Sequence, residues 1–337
     1  IGAVALASGM AAISAALFAL LKQGDELAVG SSLFGGSLHF FNDVLRRYGI
    51  TTKYFDASDT DQIKTAIGEK TKLVFVESLG NPALDIPDFE ALSFQCKSRT
   101  IPLIVDNTLP SPVLFNPGDI GAALTIHSTT KSITGNGSAV GGVFIDTGCF
   151  DWSAYADDAL VETISKYGAQ FGFLAHARQT IFSNTGGCMA PHNAYLHLLG
   201  IETLQLRTDR HCANALELAT HLETHPAVSG VNYPGLEDSP YRERAVRHFG
   251  GRGGGLLTLR LADKDKCFSF INSLNMAKQA ANLGDSRTLV IHPASTIYAT
   301  CTDKERRNAG VTDDLVRVSV GLEGIADIID DFDSALQ

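Results

Sequence analysis

Short apolar runs alternate with amphipathic stretches through the first half of the chain. Leu27-Ala28-Val29, Leu73-Val74-Phe75-Val76, Leu103-Ile104-Val105 and Leu124-Thr125-Ile126 predict buried strands, and Gly141-Gly142-Val143-Phe144-Ile145 predicts another. Between them, residues 40–48 and 61–68 have the spacing of amphipathic helices. Strands separated by helices imply a mostly parallel sheet with helices on both faces, an α/β arrangement. The second half changes character. Residues 193–221 predict one long helix or two abutting ones, followed by Pro234-Gly235 and a basic stretch to His248. The run Gly250-Gly251-Arg252-Gly253-Gly254-Gly255 then reads as a turn leading into a strand over 256–261. A larger domain over 1–185 and a smaller α+β domain over 186–337 are expected.

The N-terminal 21 residues carry no charge and are long enough for a membrane span. Their Ala, Gly and Ser content gives little transfer energy, and Ser8-Gly9 interrupts them like a strand-to-helix turn. A helix from Ser8-Gly9-Met10 to Lys22, capped by Gly24, is the expected outcome. No basic start marks a signal peptide, and the absence of an initiator Met suggests that the chain begins inside a longer protein. At 45% apolar and 19% charged residues the 337-residue chain is not disordered. A net charge of −10 makes a poor general partner for nucleic acid or an anionic membrane. Six scattered cysteines without a CxxC pair indicate neither a zinc ribbon nor a disulfide scaffold, and suit a reducing cytoplasm.

Candidate chemistry collects where predicted strands end, because ligands of open α/β sheets bind outside the carboxyl ends of the strands. Val76 is followed by Glu77 and Gly80-Asn81-Pro82, Val105 by Asp106-Asn107-Thr108, and Ile126 by His127-Ser128-Thr129-Thr130-Lys131. Each alone reads as a loop or helix cap. Together an acid, an amide, hydroxyls and a lysine make one coherent site. The N–H groups of Gly9 and Met10 at a helix start suit a phosphate. Pyridoxal phosphate would use all these parts: a lysine for covalent attachment, an acid for the pyridine nitrogen, a phosphate cradle and a stacking aromatic. Phe34 is a candidate stacker and reads equally as a core aromatic. Rival motifs fail. Gly135-Asn136-Gly137 lacks the third glycine of a dinucleotide loop, and no P-loop occurs. His192, His197, His211 and Cys212 lack zinc spacing.

SGMAAI, LFGGS, ESLGNP, IVDNT and HSTTKSITGNGSAVGG occur in that order, followed by GIETLQLRTDRH, ANLGDSRTLVIHPAST and DLVRVSVGLE. This series resembles the Cys/Met-metabolism group of pyridoxal-phosphate enzymes over essentially the whole chain. The resemblance implies an aspartate-aminotransferase-like (fold type I) large domain. It implies Lys131 as the cofactor-linked lysine, Asp106 as partner of the pyridine nitrogen and Asn81 beside the ring oxygen. Ser8, Gly9, Met10, Ser128 and Thr130 fall at the phosphate, Phe34 where relatives stack a Tyr, and Arg317 where the substrate carboxylate binds. Asn282 stands where lyases and synthases more often have Ser, and Gly36 where methionine γ-lyases have Cys, which points to the O-acetylhomoserine sulfhydrylase branch.

The implied activity is γ-replacement of an acylhomoserine by sulfide or a small thiol. A γ-lyase or cystathionine γ-synthase activity is the alternative, and a non-catalytic paralogue the third. A homotetramer with active sites at dimer interfaces is implied, with no nucleic-acid, membrane or metal partner. Phe34 lacks the hydroxyl of the usual Tyr, and Tyr298 falls where the branch commonly has His. The family's N-terminal segment, which brings a Tyr and an Arg to a neighbouring subunit's phosphate, is expected to lie outside this chain.

Overall fold

Seven strands form the larger sheet of the computed structural model, which describes residues 1–155 and 157–337 apart from the side chains of Lys304 and Asn308. They are β1 Gly2–Leu6, β2 Glu26–Gly30, β3 Thr51–Phe55, β4 Thr71–Glu77, β5 Leu103–Asp106, β6 Leu124–His127 and β7 Gly142–Asp146, in the spatial order β1-β7-β6-β5-β4-β2-β3. Strands β2 to β6 pair in parallel, whereas β7 runs antiparallel to both β6 and β1. The central strands are buried on both faces, which is why they read as unbroken apolar runs. On one face the helix Gly9–Phe18 packs with Phe41, Phe144 and Phe173. On the other, helices Thr60–Ala66 and Phe89–Arg99 pack against Val74, Val76 and Val105.

The second sheet is smaller and mainly antiparallel. Its strands β8 Gly230–Asn232, β9 Leu256–Arg260, β10 Lys278–Gln279, β11 Leu289–Ile291 and β12 Leu315–Ser319 lie in the order β10-β11-β12-β9-β8. Its core joins Leu257, Leu259, Val316 and Val318 to Leu218, Phe270 and Phe332 of the helices Leu204–Glu223, Lys264–Ser273 and Ile325–Ala335. The α/β class with a second, smaller sheet therefore agrees with the expectation.

The end of the first helix is corrected, and the other local readings are made definite. The uncharged N-terminal stretch is β1 followed by a helix that stops at Phe18, short of Lys22. Polar groups intercept the backbone there: Tyr155 OH donates to the Leu20 carbonyl, His176 Nε2 bonds that of Ala19, and Asp25 accepts the Lys22 N–H. Residues 40–45 form a π-helical turn continuing Gly35–His39. The long helix of 193–221 is two helices, Pro191–Glu202 and Leu204–Glu223, meeting at Thr203. Gly250 and Gly251 both adopt positive φ after the helix Arg242–Phe249, so the glycine run is a turn. No described helix is long and apolar enough to cross a membrane.

Candidate active site

The ends of β4, β5 and β6 lie side by side and open onto a cleft of about 230 Å³. Parallel pairing sets Glu77 opposite Asp106 in register, and the turn after β6 brings Ser128, Thr130 and Lys131 to the same rim. The first turn of Gly9–Phe18 closes one side, and Arg317 of β12 reaches in from the smaller sheet.

At the helix end, the first N–H groups have no intrahelical acceptor. Ser8 Oγ caps that of Ala11 at 3.1 Å, while Gly9 and Met10 line the cleft. A side chain at Gly9 would bring its Cβ within 2.6 Å of Ser128 Cβ, so glycine is required for the approach of the two segments. The Thr130 hydroxyl is occupied on both sides by Gly141, donating to its carbonyl at 3.2 Å and accepting its N–H at 3.1 Å.

The two acids form the floor. Asp106 Oδ1 accepts the Thr108 hydroxyl at 2.6 Å and the Thr108 N–H at 3.0 Å. The same hydroxyl accepts the Ser128 N–H at 2.8 Å, tying β5 to the lysine turn. Burial raises the Asp106 carboxyl to about 6 despite these bonds. Glu77 lies well above the usual carboxylate range, first because it is buried and then because Asp106 is beside it. Glu77 Oε1 accepts the Phe34 N–H at 2.6 Å.

The cations sit opposite. Lys131 Nζ donates to Asn282 Oδ1 at 2.7 Å, and burial with the nearby Arg317 charge lowers its amine to about 8. Arg317, 2% exposed, donates from Nη1 to Asn81 Oδ1 at 3.0 Å and from Nη2 to the Asn282 carbonyl at 3.1 Å. Its Nε is buried without a partner, and desolvation lowers the guanidinium to about 10. A buried guanidinium held by two amide oxygens has its charge uncompensated, which suits an incoming carboxylate.

The sequence-predicted residues Ser8, Gly9, Met10, Phe34, Asn81, Asp106, Ser128, Thr130, Lys131 and Arg317 all line this cleft. Asn282 lies behind it, reaching Lys131 with its side chain and Arg317 with its carbonyl. Phe34 precedes the helix Gly35–His39, stands 41% exposed and lies over Gly36, where any side chain would meet its ring. Tyr298 is fully buried outside the cleft, with its hydroxyl shared between the carbonyls of Leu33 and Asn81. Sequence reading named Glu77 and Thr108 as strand-end residues without assigning them to the site. Thr108 was findable from its place two residues after the acid, where an Asp accepts the local N–H.

The donor set fits pyridoxal phosphate. Free N–H groups beside Ser128 suit its phosphate, a buried acid its ring nitrogen, and a lysine of lowered basicity its aldehyde. The whole chain, residues 1–337, matches the family model described as Cys/Met metabolism PLP-dependent enzyme. The homocysteine synthase of Schizosaccharomyces pombe is 40% identical over 99% of this chain and 81% of its own length. The O-acetyl-L-homoserine sulfhydrylase of Leptospira meyeri is 37% identical over 100% of this chain and 80% of its own. A solved structure from Campylobacter jejuni carrying N'-pyridoxyl-lysine-5'-monophosphate superposes with a TM-score of 0.90 at 33% identity, covering 99% of this chain and 82% of that one. The O-acetylhomoserine sulfhydrylase of Wolinella succinogenes gives 0.89 at 38%, covering 100% and 92%. The chain therefore belongs to the pyridoxal-phosphate-dependent enzymes of Cys/Met metabolism.

Proposed function

We propose that the protein catalyses γ-replacement on O-acetyl-L-homoserine, with sulfide or a small thiol entering and acetate leaving, to give homocysteine or methionine. The observation that carries this reading is the convergence of Lys131 and Arg317 on Asn282. It sets a proton-transfer amine beside a buried guanidinium suited to a carboxylate, the two groups that an α-amino acid needs at its Cα. The relatives named above supply the choice of acyl donor.

Bound pyridoxal phosphate supplies the electron sink that makes the substrate's Cα proton removable. The chain's residues do the rest. Gly9, Met10 and Ser128 hold the phosphate at a helix N-terminus. Asp106, oriented by Thr108, offers a carboxylate to the ring nitrogen, and a cation placed there offsets its desolvation. Arg317 fixes the substrate carboxylate, which orients the Cα hydrogen and the Cγ–O bond. Lys131, with its amine near 8, exists partly in the free-base form at neutral pH, removes the Cα proton and moves a second proton at Cβ. Acetate departs from Cγ, and the thiol sulfur adds at the same carbon. Phe34 provides an apolar face against the ring without a hydroxyl of its own.

We further place the enzyme in a reducing cytoplasm as a homotetramer with active sites at dimer interfaces. Six unpaired cysteines support the compartment. Exposed Tyr195, Leu198, Ile201 and Leu206 on the two abutting helices support burial of that face by another copy.

The test is product analysis of the full chain with cofactor, O-acetylhomoserine and sulfide or methanethiol, with succinyl- and phosphohomoserine as rival donors. Homocysteine or methionine with acetate is the expected result. Appearance of 2-oxobutanoate and ammonia as the main products would replace this reading by γ-elimination. Sedimentation velocity reads the oligomer.

A further inference from the structure

The motif GIETLQLRTDRH takes no part in the chemistry above, yet it runs from the end of the helix Pro191–Glu202 into the first two turns of Leu204–Glu223, behind the cleft. Arg207, His211 and Asn214 are spaced by four and three positions and so share one face of that helix. Arg207 Nη1 donates to the Ser132 carbonyl at 2.6 Å, and Nη2 donates to those of Ile133 at 3.3 Å and Gly200 at 2.6 Å. Ser132 and Ile133 immediately follow Lys131. All these acceptors are neutral oxygens, and desolvation lowers the guanidinium's basicity. Gly135 adopts a φ of +79° against this group, and a side chain there would collide with the guanidinium. The lysine turn is therefore built around Arg207.

One turn along, His211 Nδ1 bonds the Val320 carbonyl at 2.7 Å, and Asn214 Nδ2 donates to that of Gly321 at 3.0 Å. These residues follow β12, the strand that carries Arg317. A carbonyl only accepts, so Nδ1 carries the proton. Burial lowers the basicity of His211 and favours the neutral ring.

We propose that this helix face sets the spacing of the active site: Arg207 holds the Lys131 turn, and His211 with Asn214 holds the end of the Arg317 strand. The three are positioning residues, since none lines the main cleft. The inference deepens the transferase reading and rests on it for the roles of Lys131 and Arg317. It makes a prediction that a mere packing role does not. Disturbing Arg207 acts on the lysine, and disturbing His211 acts on carboxylate binding, because each sits on a different half of the site.

The experiment compares holoenzymes of the wild type, Arg207→Met, Arg207→Lys, His211→Phe and His211→Asn. The readouts are the pH titration of the cofactor's absorbance, kcat, KM for O-acetylhomoserine, and amide hydrogen exchange over residues 131–135. Arg207→Met is expected to shift the absorbance titration, speed exchange in the lysine turn and lower kcat by on the order of 10–100-fold, the scale of a misplaced reacting group. Arg207→Lys, which keeps the charge and loses the fork, is expected to move in the same direction. His211→Phe is expected to raise KM with little change in the titration. His211→Asn, whose amide donates where the ring did, is expected to recover most of that loss.

An unchanged titration, exchange rate and kcat in the Arg207 variants, with only a lower melting temperature, would overturn the proposal. So would identical effects of the Arg207 and His211 variants on every readout. Should Arg207→Met fail to fold, Arg207→Lys and His211→Asn decide by the same criteria. A wild type that makes no homocysteine or methionine, yet whose titration shifts on Arg207 substitution, would remove the transferase reading and leave the bracket standing.

Discussion

The acid floor and the cation wall of one cleft respond to burial in opposite directions. Glu77 and Asp106 are pushed above the usual carboxylate range, whereas Lys131 and Arg317 are pushed below the usual values of their groups. Low dielectric disfavours charge of either sign, so burial is the first cause of both shifts, with a like-charged neighbour adding to those of Glu77 and Lys131. What differs is the compensation within the protein. The floor has Thr108 and the Phe34 N–H as donors. Among the described residues the wall has only amide oxygens, and the Arg317 Nε has no partner. Neither end neutralises the other, so each is fitted to a ligand group of opposite charge: a protonated ring nitrogen at the floor, a carboxylate at the wall.

The strongest way to break this contrast is at Lys131. Lys131→Ala removes both the covalent anchor and the base, and turnover should fall by at least the roughly 10²–10⁴-fold that a general base contributes. Borohydride reduction should fix the cofactor on Lys131 in the wild type alone, read by peptide mass spectrometry. Label on another lysine would contradict the assignment.

Arg317→Lys is next. An ammonium cannot reproduce the two-pronged contact, and each lost charged hydrogen bond is worth about 1.5–3 kcal/mol. KM for the amino-acid substrate should rise steeply, while cofactor absorbance stays as in the wild type. At the other end Asp106→Asn should reverse that pattern, lowering kcat far more than it raises KM. Steady-state kinetics on both variants tests the division of labour, and equal effects on KM would erase it.

Stability against pH sharpens the comparison without substrate. In the cofactor-free protein, Asp106 binds its proton up to about 6 against an ordinary 3.8. The folded state therefore holds more protons between those values, and this contribution declines as pH rises through that window. Lys131 releases its proton near 8 against an ordinary 10.5. There the unfolded chain holds more protons, and stability rises as pH climbs from 8 to 10.5. Denaturant melts should show a reduced acid-side slope in Asp106→Asn and a reduced alkaline slope in Lys131→Met. An unchanged alkaline slope in the latter would mean that Lys131 is not desolvated.

The smallest effect belongs to Phe34, which lies over the cleft rather than at either end. Its loss in Phe34→Ala should weaken cofactor retention by about 0.5–1.5 kcal/mol, the worth of an aromatic pair beyond its buried area. Phe34→Tyr should retain the cofactor as well as the wild type, measured by equilibrium dialysis. A Phe34→Ala protein that holds cofactor normally would show that the ring does not stack.

Much of the site was legible because buried parallel strands are conspicuous. Each apolar run ends abruptly, and Glu77, Asp106 and the lysine turn stand just beyond such ends. The N-terminal helix was legible at its start, where Ser8 caps locally, and misread at its finish. Its stop depends on Tyr155 and His176, more than 130 positions away in the chain. Asn282 was placed with the substrate, and its position as the shared acceptor of Lys131 and Arg317 depends on how the two sheets meet. Tyr298, a departure in the motif, turns out to brace the carbonyls of Leu33 and Asn81. Nothing near it in the chain encodes that.

The sequence alone determined the alternation of strands and helices and the residues that stand at the strand ends, Asp106 and Lys131 among them. These follow from local periodicity and from short motifs whose members fold close to one another. Tertiary structure decided which charges face each other and how far burial shifts them. The bond from Arg317 to Asn81 spans 236 positions, and that from Lys131 to Asn282 spans 151. Desolvation depends on everything packed around a group, so a charge acquires its chemistry only when distant segments close over it.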